Sequence, residues 1–101
     1  MKKILLIGLL AFSSLSAYDK YLCDSYLSDY GKENKKFKLF FNNNDFFMAE
    51  LAVKSSQTFM INYIAECCQD LKCENAGKNL LYAGSLELKL IDEKRSFWLN
   101  R

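Results

Sequence analysis

Apolar residues recur along this chain at two different spacings. From Ser56 to Lys72, a projection at about 100° per residue gathers Met60, Tyr63, Ile64, Cys67, Cys68 and Leu71 on one face. Thr58, Asn62, Glu66, Gln69 and Lys72 fall on the other, with only Phe59 out of place. That pattern predicts an amphipathic helix. Tyr18 to Tyr30 behaves alike: Leu22, Cys23, Tyr26, Leu27 and Tyr30 cluster, Asp19 suits the N-cap, and Gly31 suits the position just past the end. After the turn-prone Asn42-Asn43-Asn44, Asp45 suits the cap of another short helix, from Phe46 to about Lys54.

The remainder reads differently. Phe37 to Phe41 is an aromatic run too short to classify by period. Leu86, Leu88 and Leu90 alternate with Glu87 and Lys89, Asp92 to Arg95 is polar, and Phe97-Trp98-Leu99 follows, which predicts a C-terminal β-hairpin. The competing reading, one helix from Asn79 to Arg95, scatters its apolar positions round the wheel and has to hold Gly84. The expected fold is therefore α+β, mainly α: a small disulfide-linked helical domain with a C-terminal β-hairpin.

The first 17 residues have a different character. Lys2 and Lys3 precede an apolar stretch, Ile4 to Phe12, and then a run of mostly small residues to Ala17, the layout of a secretory signal peptide. The expected organisation is a signal peptide over 1–17 and one small secreted domain over 18–101, periplasmic or secreted. No stretch approaches the roughly 20 apolar residues a membrane span requires. Removing Lys2 and Lys3 leaves 12 basic residues against 12 acidic ones, so the formal charge falls from +2 to zero. A neutral domain without a basic block gives no electrostatic case for nucleic acid or an anionic membrane.

Histidine is absent, which removes the usual general base, metal ligand and near-neutral pH switch together. No nucleophile, base and orienting group can be assembled from the residue types present, so neither an enzyme nor a cofactor is expected. The four cysteines, Cys23, Cys67, Cys68 and Cys73, are an even number in a chain bound for an oxidising compartment, and disulfides are the expected state. A bond between the neighbours Cys67 and Cys68 would strain the intervening peptide. The two pairings left each tie Cys23 to Cys67 or Cys68 and close a short loop to Cys73. A bridge over about 45 residues restricts the unfolded chain by roughly 4 kcal/mol. The spacing does not offer the two close pairs of a four-thiolate zinc site, and there is no CxxC.

Beyond residue 17 the chain carries 14 aromatic residues, most of them expected in the core. Phe40, Phe41, Phe46 and Phe47 flank the asparagine turn and, with Tyr26 and Tyr63, are the candidate protein-contact residues.

Cys23-Asp24-Ser25-Tyr26-Leu27 resembles the start of the first helix in small periplasmic acid-stress chaperones of the HdeA/HdeB type, and Ile64-Ala65-Glu66-Cys67-Cys68-Gln69-Asp70 is similar to that family's second cysteine segment. The resemblance implies a compact helical protein with one disulfide, matching Cys23 to Cys68, that opens or dissociates in acid and shields unfolded periplasmic proteins. Cys67, Cys73, the expected hairpin and the lack of proline depart from the family pattern. Two functions follow as expectations: an acid-activated holdase whose partners are unfolded client proteins, or a secreted immunity protein or inhibitor that binds one toxin or cell-wall hydrolase. A homodimer is compatible with either.

Overall fold

In the computed structural model the described residues are 19–99, and the expected signal segment lies outside them. They form three helices: α1 (Lys20–Asn42), α2 (Phe46–Cys67) and α3 (Leu71–Leu99). No strand occurs among the described residues, so the fold is all-α and the expected hairpin is replaced by the longest helix.

Each helix starts on an aspartate. Asp19 accepts from the Leu22 amide at 3.1 Å, Asp45 from Met48 at 3.2 Å and Asp70 from Cys73 at 2.8 Å, satisfying donors that a helix start leaves without partners. The asparagine turn ends α1 in a Schellman arrangement. Asn44 takes the left-handed conformation with φ 62°, while the amides of Asn44 and Asp45 donate to the carbonyls of Phe41 at 3.1 Å and Phe40 at 2.9 Å. Asparagine tolerates that conformation better than other residues with a Cβ.

The helices run up, down and up, with α2 in the middle. Phe46, Ala49, Val53, Ser56, Met60, Tyr63 and Cys67 follow one another at alternating steps of three and four, and every one of them is buried or half-buried. In α1 the same stepping runs through Cys23, Tyr26, Tyr30, Glu33, Phe37 and Phe40. This seam explains why Gly31 does not end α1: a glycine within a helix costs about 1 kcal/mol, and burying Phe37 and its neighbours offsets it. The short helix expected from Phe46 likewise continues to Cys67. The segment read as one helix from Ser56 to Lys72 breaks at Cys68, whose backbone is extended, before Asp70 starts α3.

The C-terminal segment misled because its buried positions repeat every seven residues with small members. Gly77, Gly84 and Ile91 are buried, and Leu81, Leu88 and Arg95, each four residues further on, are half-buried. Of the alternating leucines only Leu88 packs on the core, while Leu86 and Leu90 face outward. Gly84 is no breaker here; both glycines let α3 lie close to α2. A Cβ at Gly77 would meet Ile64 Cγ1 at 2.5 Å, and one at Gly84 would meet Gln57 Nε2 at 2.9 Å. Gln57 also donates to the Leu81 carbonyl at 3.3 Å.

The main core lies towards the α1–α2 turn, where Phe37, Ala49, Ala52, Val53 and Ile91 bring all three helices together. Fully burying a side chain such as Val53 or Ile91 contributes about 1.5–3 kcal/mol. At the other end two disulfides take over. Cys23 is joined to Cys67 with a Cα–Cα distance of 5.9 Å, and Cys68 to Cys73 at 5.3 Å, so none of the four is free. This selects one of the two pairings left open by the sequence and corrects the Cys23–Cys68 bridge that the family resemblance implied.

Non-reducing peptide mapping should recover Cys23–Cys67 and Cys68–Cys73, and Cys23→Ser should lower stability by roughly 2–5 kcal/mol in urea unfolding. Alanine at the two glycines should act in opposite senses. Gly31→Ala, with nothing within 4 Å of the new methyl, should stabilise by about 0.5–1 kcal/mol, whereas Gly77→Ala forces Ile64 to move and should destabilise.

Candidate protein-contact surface

The fold divides the aromatic residues singled out in the sequence between its two ends. Phe40, Phe41 and Phe46 are half-buried and pack against the core formed by Phe37, Ala49, Ala52, Val53 and Ile91. Phe37 and Phe41 stack at a tilt, ring centroids 5.4 Å apart. Lys94 of α3 places its ammonium 4.3 Å above the Phe41 ring and donates to the Phe41 carbonyl at 3.0 Å. A cation over a ring face and a helix-terminal carbonyl is attracted by both, so this one side chain ties the ends of α1 and α3 together. Phe47, the next residue along α2, points the other way and is 70% exposed.

Tyr26 and Tyr63 lie towards the disulfide end and are half-buried. The Tyr26 hydroxyl donates to Glu66 Oε2 at 3.1 Å, bridging α1 and α2 beside Cys23–Cys67. Loss of water at the helix interface, then the hydrogen bond and the negative charge of Glu66, raise the Tyr26 pKa above the usual tyrosine value. The six candidates therefore do not form one patch: three support the core, two flank the staple, and Phe47 alone is a large exposed surface.

Apart from Phe47, the apolar residues that reach the surface lie outside that set of candidates. Tyr82, Leu86, Leu90 and Phe97 are exposed along α3, and Leu39, Phe47 and Leu99 are exposed around the end that holds the asparagine turn. Reading α3 as a hairpin hid this stripe, because a strand would have sent Leu86 and Leu90 to the same side as Leu88. Near the disulfides, Cys67, Gln69, Asp70 and Cys73 line a shallow open depression. Among the described residues no group of three or more cysteine or carboxylate side chains is placed to hold a metal ion, and no helix is long and apolar enough to cross a membrane.

No family model, curated protein or solved structure matches the chain.

The tyrosine bridge has a pH signature. Because the fold favours the neutral phenol, the Tyr26–Glu66 contact stabilises the protein below the ordinary tyrosine pKa, and this contribution is lost as pH rises through the elevated one. Ultraviolet titration of phenolate should include a component above the ordinary tyrosine value, and Tyr26→Phe should remove it.

Proposed function

We propose that this protein is a non-catalytic periplasmic protein-binding domain that acts as an acid-opened holdase for unfolded proteins. The observation that carries the reading is the clamp at Glu50. Its carboxylate accepts from Lys54 Nζ at 2.8 Å and from Arg95 Nη2 at 2.8 Å, so one acid on α2 holds the far end of α3. Asp92 also lies 4.0 Å from Arg95. The hydrogen bonds from Lys54 and then Arg95, with the charge of both, hold the Glu50 carboxyl below the usual carboxylate range.

A depressed carboxyl pKa contributes stability that is complete above the unfolded value and disappears as pH falls through the folded one. Acid therefore loosens the clamp. An exposed ion pair is weak alone, but protonation removes the other carboxylates as well, leaving 12 Lys and Arg charges beyond residue 17 to repel one another. Glu87 works in the opposite sense. Burial raises its carboxyl, with Lys38 partly offsetting this, so its protonation favours the folded state.

The covalent frame decides what opens. Cys23–Cys67 holds α1 to α2, whereas α3 is covalently tied only at its start, by the chain and by Cys68–Cys73. Release of the Glu50 end would let α3 swing and uncover Val53, Met60 and Ile91, all fully buried in the closed form. Such a surface fits unfolded apolar segments, and the frame limits how far the chain expands.

On a shift from about pH 7 to about pH 3, the oxidised protein should bind a hydrophobic dye, lose its near-ultraviolet circular dichroism reversibly, and suppress aggregation of an acid-denatured client. Glu50→Gln should move the opening to higher pH. A protein that keeps its native signal in acid and leaves client aggregation unchanged would end this reading. The alternative, an immunity protein or inhibitor, would instead show stoichiometric binding of one partner at neutral pH.

A further inference from the structure

The charges of this chain cancel in sum, yet the fold sorts them along its length. α1 and α3 end, and α2 begins, at the same end of the bundle, the one capped by the asparagine turn. There the second half of α1 carries Lys32, Lys35, Lys36 and Lys38 with Glu33 as its single acid, engaged by Lys36 at 3.1 Å. The start of α2 and the end of α3 add Lys54, Lys89, Lys94 and Arg95 against Asp45, Glu50, Glu87, Asp92 and Glu93, so this end holds eight basic residues against six acidic ones. The disulfide end is opposite in sign: residues 19–29 and 66–78 hold six carboxylates against three lysines. Neutral composition thus hides a molecule with one basic and one acidic pole.

The basic pole also carries the large apolar side chains that the bundle leaves in water. Leu39, Phe47, Phe97 and Leu99 are 59%, 70%, 67% and 78% exposed. Their placement follows from register. Gly77 lies against Ile64 and Gly84 against Gln57, and this antiparallel spacing carries residues 96–99 past the start of α2. Phe97, Trp98 and Leu99 therefore project from the same end as Leu39 and Phe47. They lie around three helix ends and do not line a groove, which suits a surface that can deform around them better than a rigid partner.

We propose that this pole is a docking surface for the interface of an anionic lipid bilayer. Exposed aromatic and aliphatic side chains enter the headgroup region, where an aromatic ring gains apolar contact without needing to reach the hydrocarbon core. Lysines on long flexible stems place their ammonium groups on lipid phosphates while the stems lie along apolar surface. The acidic pole is repelled by the same lipids, which orients the bundle with its disulfides away from the membrane. This inference concerns the closed form at neutral pH and does not depend on the holdase reading.

The test is co-sedimentation of the oxidised protein at neutral pH with vesicles of phosphatidylcholine alone and of phosphatidylcholine mixed with phosphatidylglycerol, following Trp98 fluorescence in parallel. Binding should require the anionic lipid, weaken as salt rises, and shift Trp98 emission to the blue. Each lysine near an anionic surface is worth about fivefold in partitioning, so Lys35→Gln/Lys36→Gln/Lys38→Gln should bind roughly a hundredfold more weakly. All three lysines are exposed, so the variant should keep its helical circular dichroism. Phe47→Ser should weaken binding and leave its salt dependence in place. Failure to sediment with anionic vesicles, equal binding to both vesicle types, or undiminished binding by the triple-lysine variant would overturn the proposal.

Discussion

The structure depends on α2 serving two interfaces at once. A helix in the middle of an up-down-up arrangement has to present one seam to each neighbour, and α2 does so with residues of different character. Towards α1 and the shared core it offers Ala49, Val53 and Cys67, an apolar row in which buried Met60 also reaches Gly77 of α3. Towards α3 it offers Glu50, Gln57 and Ile64, at successive steps of seven, which meet Arg95, the Leu81 carbonyl with Gly84, and Gly77. The first seam is held by burial and a disulfide; the second is held by Ile91 and Leu88 on the core, by close backbone approach and by a few polar contacts. That inequality is what the proposed acid opening of α3 would exploit.

How much of this was legible depended on whether the signal was local. Asp19 and Asp45 are caps because a short side-chain acceptor precedes a helix, and both were readable without tertiary knowledge. So was the asparagine turn. Helix ends were less legible. Gly31 has the residue type of a terminator, and its continuation is set by Phe37 and Phe41 finding α2, a contact distant in sequence. The expected C-terminal hairpin gives way to a helix because glycine, disruptive by propensity, fills buried positions of its packing face. Once Gly77 and Gly84 are counted as buried positions, the seven-residue repeat with Ile91 is plain. The candidate contact residues fared similarly: burial of Phe40, Phe41 and Phe46 beside a turn could not be distinguished from exposure until α3 was placed over them.

Charge shows the same limit in another form. A net charge is a property of composition, and only topology decides whether opposite charges mix or separate. Here the lysines fall in the half of α1 that approaches the asparagine turn, while acids gather near both partners of the Cys23–Cys67 bridge. The up-down-up path brings those segments to opposite poles.

The adjacency of Cys67 and Cys68 bears on how the chain acquires its oxidised form. Cys68 and Cys73 are 5 residues apart and meet by local diffusion, whereas Cys23 has to find Cys67 across 44 residues. An oxidant alone does not discriminate between two neighbouring thiols. Discrimination comes from where α2 ends: Cys67 is the last residue of its buried row and faces Cys23, whereas Cys68 has left the helix with an extended backbone, so capturing it in place of Cys67 would draw the last turn of α2 away from α1. The apolar seam thereby acts as a proofreader of thiol chemistry, and a weakened seam would be expected to yield scrambled, fully oxidised chains instead of reduced ones.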